Sequence, residues 1–189
     1  MMRPVLAEGY VLTGGKSSRF GADKALHPVA GRPMALHVAD ALRSCTRSVT
    51  VVGDPCRHAP LGLPVIPDRM AGAGPLAGIV TALASAGTPW ILVAACDMPR
   101  LTAAPLRNLL RAALASDAAA LLPRTPDRRL QPLCAAYSKQ AYGPLSNALQ
   151  TGTRKVMDAV EQVAWEALDV SDGRPFANVN RLADLAALD

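Results

Sequence analysis

The sequence predicts an α/β fold on a mainly parallel sheet with helices on both faces. Three observations carry that expectation. Short apolar runs, Tyr10-Val11-Leu12 and Ile91-Leu92-Val93-Ala94-Ala95, read as buried strands. Amphipathic stretches of helical period alternate with the strand-like segments. A glycine-rich loop follows the first strand, where sheets of this kind bind ligands.

Taken in order, Gly9–Leu12 is a strand, and Pro33–Ser44 a helix with Met34, Val38, Ala41 and Leu42 along one face. Ser48–Val52 is a strand, and Val65–Ile66 a short extended segment ending at Pro67. Pro75–Ala86 is a helix that Pro75 opens at its first turn. Pro89–Ala95 is a strand, and Pro105–Ala115 lies in a helix capped by Thr102. Ala118–Leu122 and Leu133–Tyr137 are strands, and Tyr142–Gln150 and Arg154–Val160 are helices. Val163–Val170 is strand-like, and Arg181–Leu188 closes the chain as a helix. Ligands of such sheets bind beyond the carboxyl ends of the strands, so the loop after Leu12 and the carboxylate after Ala95 are expected at one rim.

At 189 residues, half of them apolar, the chain is long enough for one domain, 1–189, with a substantial core. The longest apolar stretch, around Trp90–Cys96, is too short to span a bilayer, and Met1-Met2-Arg3-Pro4 leads into the first strand without a signal-peptide core. The expectation is a cytoplasmic protein that does not engage a membrane. The net charge of +5 and pI near 9.3 raise nucleic acid as a partner. Aromatics at 4% leave little to stack on bases, so a basic pocket for small polyanions is the reading and nucleic acid is not expected. Cys45, Cys56, Cys96 and Cys134 form no C-x-x-C pair, and His27, His37 and His58 show no metal spacing. They read as buried free thiols in a reducing compartment and as ordinary surface or core histidines.

The segment after the first strand carries the chemistry. Gly14, Gly15 and Gly21 let the backbone turn sharply, and their N–H groups make an anion-binding concavity. Lys16, Arg19 and Lys24 add full positive charges, giving a cradle for a triphosphate. It is neither of two better-known phosphate loops: the first glycine of a G-x-x-x-x-G-K-[ST] loop would fall on Tyr10, and the glycine spacing does not fit G-x-G-x-x-G. Asp97 ends a hydrophobic strand, where a carboxylate has no packing reason to be. It suits magnesium, which takes one or two carboxylates plus substrate phosphates, or alternatively a helix-capping role. Lys24 offers a compact charge for the α-phosphate region, and Arg19 a fork for phosphate oxygens.

Leu12-Thr13-Gly14-Gly15-Lys16-Ser17-Ser18-Arg19-Phe20-Gly21-Ala22-Asp23-Lys24 resembles the signature L-[AT]-G-G-x-S-x-R-[MF]-G-x-D-K of the molybdenum cofactor guanylyltransferases. The resemblance continues, in order, through Asp68, Gly74-Pro75-Leu76-Ala77-Gly78, Cys96-Asp97-Met98-Pro99 and Phe176-Ala177-Asn178-Val179-Asn180. It implies a Rossmann-like three-layer α/β/α nucleotidyltransferase fold. It also implies transfer of GMP from GTP to molybdenum-loaded molybdopterin, forming the guanine dinucleotide cofactor and pyrophosphate. Arg19, Lys24 and Asp97 would be catalytic, with Asp97 holding Mg2+. Leu12, Thr13, Gly14, Gly15, Lys24, Asp68 and Asp97 would bind the nucleotide. Gln131, Asn178 and Asn180 would serve the second substrate. Hand-off to a molybdenum insertase or an apo-molybdoenzyme follows from the resemblance alone.

Three points stay open at this level. A related CTP-using branch more often reads A-A-G where Gly14-Gly15 stands, so base choice rests on one glycine pair. Thr13 has two readings, a local hydrogen bond or a face toward the base. Arg124, Arg128 and Arg129 read either as a phosphate site or as an exposed loop. The family continues T-P-[ED]-[DE]-L after the second asparagine, whereas this chain has Arg181-Leu182-Ala183-Asp184-Leu185, which leaves another phosphorylated acceptor as an alternative. A nucleotide-binding module without turnover is the alternative from another class, and the joint presence of Arg19, Lys24 and Asp97 speaks against it.

Overall fold

The strands that carry the loops of interest are buried along their whole length. Strands β1 (Ala7–Leu12) and β6 (Trp90–Ala95) have no exposed residue, as expected of parallel strands with both faces covered. The computed structural model describes residues 7–14, 23–70, 72–180 and 182–185. Among these, β4 (Val49–Val52), β5 (Val65–Ile66), β7 (Ala120–Arg124), β8 (Cys134–Ser138) and β9 (Trp165–Asp169) complete a seven-stranded sheet in the order β5-β4-β1-β6-β8-β7-β9. All neighbours pair in parallel except β8, which runs antiparallel to both β6 and β7.

Alternation along the strands sorts side chains between two helical layers. Leu92 and Ala94 pack with Val38 and Leu42 of α1 (Met34–Arg43) and with Leu106 and Leu109 of α4 (Ala103–Ala113). Ile91 and Val93 face the other way, onto Leu76, Ile79 and Leu83 of α3 (Pro75–Ser85). Leu145 and Leu149 of α5 (Tyr142–Gln150) and Val156 and Val160 of α6 (Val156–Val160) join that second layer. Each such fully buried aliphatic side chain contributes about 1.5–3 kcal/mol. The result is the three-layer α/β/α arrangement expected. No helix among the described residues is long and apolar enough to cross a membrane.

Two short features were not foreseen. A hairpin joins β2 (Pro28–Val29) to β3 (Arg32–Pro33) through Ala30 and Gly31, both at positive φ, 48° and 76°. Its strands are too short to carry a period, and only the turn leaves a trace. A one-turn helix, α2 (Pro55–His58), is capped by Asp54, whose carboxylate accepts the N–H groups of Cys56 and Arg57 at 2.9 and 3.0 Å.

Elsewhere the differences are at boundaries. The helix expected from Arg154 begins at Val156, because the Arg154 guanidinium turns back to donate to the Leu149 carbonyl at the end of α5. Thr102 holds the N-cap position of α4, but its side chain makes no capping hydrogen bond. Of the closing helix, α7 (Leu182–Leu185) is seen, and the rest of the expected 181–188 lies outside the described residues.

Candidate active site

Every described residue singled out from the sequence lies at one rim, the carboxyl end of the parallel strands. β1 delivers Thr13 and Gly14, β4 delivers Gly53, β5 delivers Asp68 and β6 delivers Asp97. Because β8 is reversed, Gln131, which precedes it, reaches the same rim. Gly15 and Arg19, with Lys16 and Gly21, lie outside the described residues.

The centre of the rim is an ion pair. Lys24 Nζ donates to Asp97 Oδ2 at 2.7 Å and to Asn180 Oδ1 at 2.9 Å. Both charged side chains are largely enclosed, at 16% and 17% exposure, so the pair is shielded from the water that weakens surface pairs. Asp97 is fixed by its backbone: the preceding amide of Cys96 donates to Leu12 O at 3.0 Å, and Asp97 O accepts the N–H of Val179 at 2.8 Å. Its other carboxylate oxygen, Oδ1, is buried and has no hydrogen-bond partner among the described residues. The helix-capping alternative for Asp97 drops out, since the N-cap position of α4 belongs to Thr102. Nor is the adjacent Cys96 a nucleophile, because burial pushes its thiol up to about 12.

On one side of the pair lies a cleft of about 460 Å³ lined by Thr13, Gly14, Gly53, His58, Asp68 and Gly72 among others. The Thr13 hydroxyl donates to Val52 O, at the end of the neighbouring strand, at 2.8 Å, and Thr13 also lines the cleft. Asp68 Oδ1 accepts from the Met70 amide at 3.0 Å, and Asp68 Oδ2 faces Gly14, where a Cβ would stand 3.9 Å away. Gly53 permits a close approach: a Cβ there would fall 2.1 Å from Thr13 Oγ1 and 2.5 Å from His58 Nδ1. Gly74, at φ 87°, takes the N-cap of α3, a conformation that glycine adopts without strain.

On the other side lies a cleft of about 730 Å³ with Thr125, Arg129, Gln131, Arg174, Asn178 and Asn180 in its lining. Gln131 is held by its amide to Pro123 O at 2.9 Å. Asn178 and Asn180 flank the buried Val179, which turns both toward solvent. Of the three arginines considered from the sequence, Arg124 grips Asp169 through two nitrogens, which holds the Asp169 carboxyl below the usual range. Arg129 lines the cleft, with Nε 3.3 Å from Asp127, and Arg128 sits in a turn at φ 66°. Arg174 was not singled out, nor were Gly53 and His58. The Gly-Asp-Pro run after β4 was the one available signal for Gly53; His58 had none.

Among the described residues no group of three or more His, Cys, Asp or Glu side chains is placed to hold a metal ion. Among the described residues Asp97 offers one carboxylate oxygen without a hydrogen-bond partner, which fits a hard cation whose remaining ligands are phosphate oxygens and water.

A family model described as the MobA-like NTP transferase domain matches residues 9–164. A probable molybdenum cofactor guanylyltransferase of Deinococcus radiodurans is 35% identical over 178 residues, covering 94% of this chain and 91% of that one. A molybdenum cofactor guanylyltransferase of Cupriavidus metallidurans is 32% identical over 185 residues, covering 94% and 91%. The crystal structure of molybdopterin-guanine dinucleotide biosynthesis protein A from Archaeoglobus fulgidus superposes with a TM-score of 0.82 at 26% identity, covering 95% of each chain.

Proposed function

This chain belongs to the family of MobA-like NTP transferase domains, and from that premise we propose that it transfers GMP from GTP to molybdenum-loaded molybdopterin. An oxygen of the acceptor's terminal phosphate bonds to the α-phosphorus of GTP, the bond from that phosphorus to the bridging oxygen breaks, and pyrophosphate leaves. The observation that carries the reading is the Lys24–Asp97 pair at the end of β6, which lies in the sheet between β1, leading to the smaller cleft, and β8, leading to the larger, with Asn180 of the larger cleft bonded to the same ammonium.

In this reading the smaller cleft takes the nucleoside, with Leu12, Thr13, Gly14, Gly15 and Asp68 around it, and the larger takes the pterin, with Gln131, Asn178 and Asn180. Asparagine and glutamine amides donate and accept, as a pterin edge requires. Two anions must meet, so the chain's work is to position and to neutralise. Lys24 supplies a point charge beside Asp97 and Asn180, and Arg19 would supply a second cation. Asp97, through Oδ1, would hold Mg2+. The ion would supply charge stabilisation for the departing pyrophosphate. Residues 1–189 are read as one domain acting in the cytoplasm, with the product passed to a molybdenum insertase or an apo-molybdoenzyme.

The test is to melt the protein with GTP, CTP and ATP, each with and without magnesium, and then to assay pyrophosphate release with molybdenum-loaded molybdopterin. A magnesium-dependent shift selective for GTP, lost in Asp97→Asn, together with turnover is the expected result. CTP selectivity moves the assignment to the sister activity, and binding without turnover overturns the enzyme reading.

A further inference from the structure

His58 belongs to no group the transfer chemistry uses, yet its imidazole is held on every side. The residue is 4% exposed. Its Nδ1–Cε1 edge abuts Gly53 so closely that no side chain fits there. Nδ1 accepts the Asp54 amide at 3.0 Å, which places the ring proton on Nε2. That Nε2 is buried and makes no aligned hydrogen bond among the described residues; Asp23 Oδ2 faces it at 3.2 Å. If packing alone were required, an apolar side chain would fill the space without burying an N–H group against a carboxylate.

Asp23 is held from two directions. Its Oδ1 accepts the Ala25 amide at 3.0 Å, and its Oδ2 faces His58, with Arg57 Nε further off at 3.7 Å. The backbone between these anchors is Lys24, whose ammonium reaches Asp97 and Asn180. A continuous set of contacts thus runs from the floor of the smaller cleft, at Thr13 and Gly53, through His58 and Asp23 to Lys24.

We propose that His58 is a positioning residue for Lys24: its Nε2–H faces the Asp23 carboxylate at 3.2 Å and holds it by charge–dipole attraction, and the anchored Asp23 aims the lysine at Asp97 and Asn180. The assignment rests on the transfer reading for its catalytic consequence but not for its geometry. A lysine displaced by an ångström no longer meets the reacting phosphates, so its loss of aim shows in turnover more than in nucleotide binding.

Three variants test this. His58→Leu keeps bulk and removes the donor. His58→Gln restores an N–H within reach of Asp23. Asp23→Asn keeps an oxygen for the Ala25 amide while turning an NH2 group toward His58, donor against donor. Two readouts are taken on the purified chain after melting curves establish that it is folded: the rate at which acetic anhydride modifies Lys24, followed by peptide mass, and kcat against KM for GTP. The expected result is severalfold faster modification of Lys24 in His58→Leu and Asp23→Asn. With it comes a kcat lowered about 10²-fold and little change in KM. His58→Gln stays near the unmodified protein in both.

Unchanged Lys24 modification in both of the disrupting variants overturns the proposal, as does a His58→Gln variant as impaired as His58→Leu. Should His58→Leu fail to fold, Asp23→Asn decides from the other end of the contact. An unmodified protein without turnover would sink the transfer reading, while the modification rates, which need no substrate, would still decide for or against His58.

Discussion

The amide of Val179 donates to the carbonyl of Asp97 across 2.8 Å, strapping the C-terminal Asn178-Val179-Asn180 segment to the strand end that carries the site's central carboxylate. Val179 is buried against Met34, so the strap is anchored in the core while its asparagines stand at the rim. Asn180 then bonds Lys24. Asn180→Ala is expected to lower kcat/KM for the molybdopterin acceptor about 10-fold to 100-fold, the worth of a hydrogen bond to a charged group. The GTP-induced melting shift should stay, and a loss of that shift instead would move Asn180 to the nucleotide side.

Lys24 holds its ammonium 2.7 Å from Asp97 and 2.9 Å from Asn180, a residue of the larger cleft's lining. Lys24→Ala is expected to lower turnover about 10²–10³-fold, the usual consequence of removing a well-placed donor from a transition state. Lys24→Arg should recover little of it, because the planar guanidinium does not occupy the same point. Pyrophosphate release measures both, and near-normal turnover of the alanine variant would remove Lys24 from the chemistry.

At Gly53 the prediction is steric. A methyl group there meets Thr13 Oγ1 and His58 Nδ1 well inside van der Waals contact. Gly53→Ala is expected to destabilise the fold by about 1–3 kcal/mol, the range for overpacking a tight site. A lower midpoint in urea with an unchanged slope would show it, and a neutral variant would mean that the imidazole can swing aside.

Three of the four thiols set an alkaline limit. Burial pushes Cys45 up to about 11 and Cys96 and Cys134 up to about 12. A raised thiol value means that the unfolded chain releases its protons first. Stability is therefore full below the ordinary thiol range and falls as pH rises from there toward the folded values. Urea midpoints measured from pH 8 to pH 11 should decline across that window. Cys56 is exposed rather than buried as expected, because it lies in the first turn of the one-turn surface helix α2, so in the native state at pH 8 a thiol reagent should modify it and spare the other three. Rapid modification of all four would contradict the burial.

Much of the site was legible before any coordinates. Gly14, Lys24, Asp68 and Asp97 stood out because a phosphate site needs bared backbone, cations and a stray carboxylate at strand ends, and those requirements leave local marks. His58 left none: a histidine earns attention only when its neighbours are known, and here they come from residues 13, 23, 53 and 54. Arg174 was missed because nothing in its own sequence context separates a cleft-lining arginine from a solvated one.

The fold divides in the same way. Continuous burial of β1 and β6, and the helical period of α1, were written in the order of apolar residues, because each strand or helix must hide its own face, and the start of α3 was marked by Pro75. The reversal of β8 was not, since strand direction depends on which neighbour a segment pairs with and not on its own composition. That reversal brings Gln131 to the rim beside Thr125. The amino-acid order by itself therefore determined the layers and the anion-seeking loop, through local burial and backbone chemistry. Only the tertiary structure decided that Lys24, Asp97 and Asn180 share one set of hydrogen bonds, because contacts between distant segments exist only once the whole sheet has set their spacing.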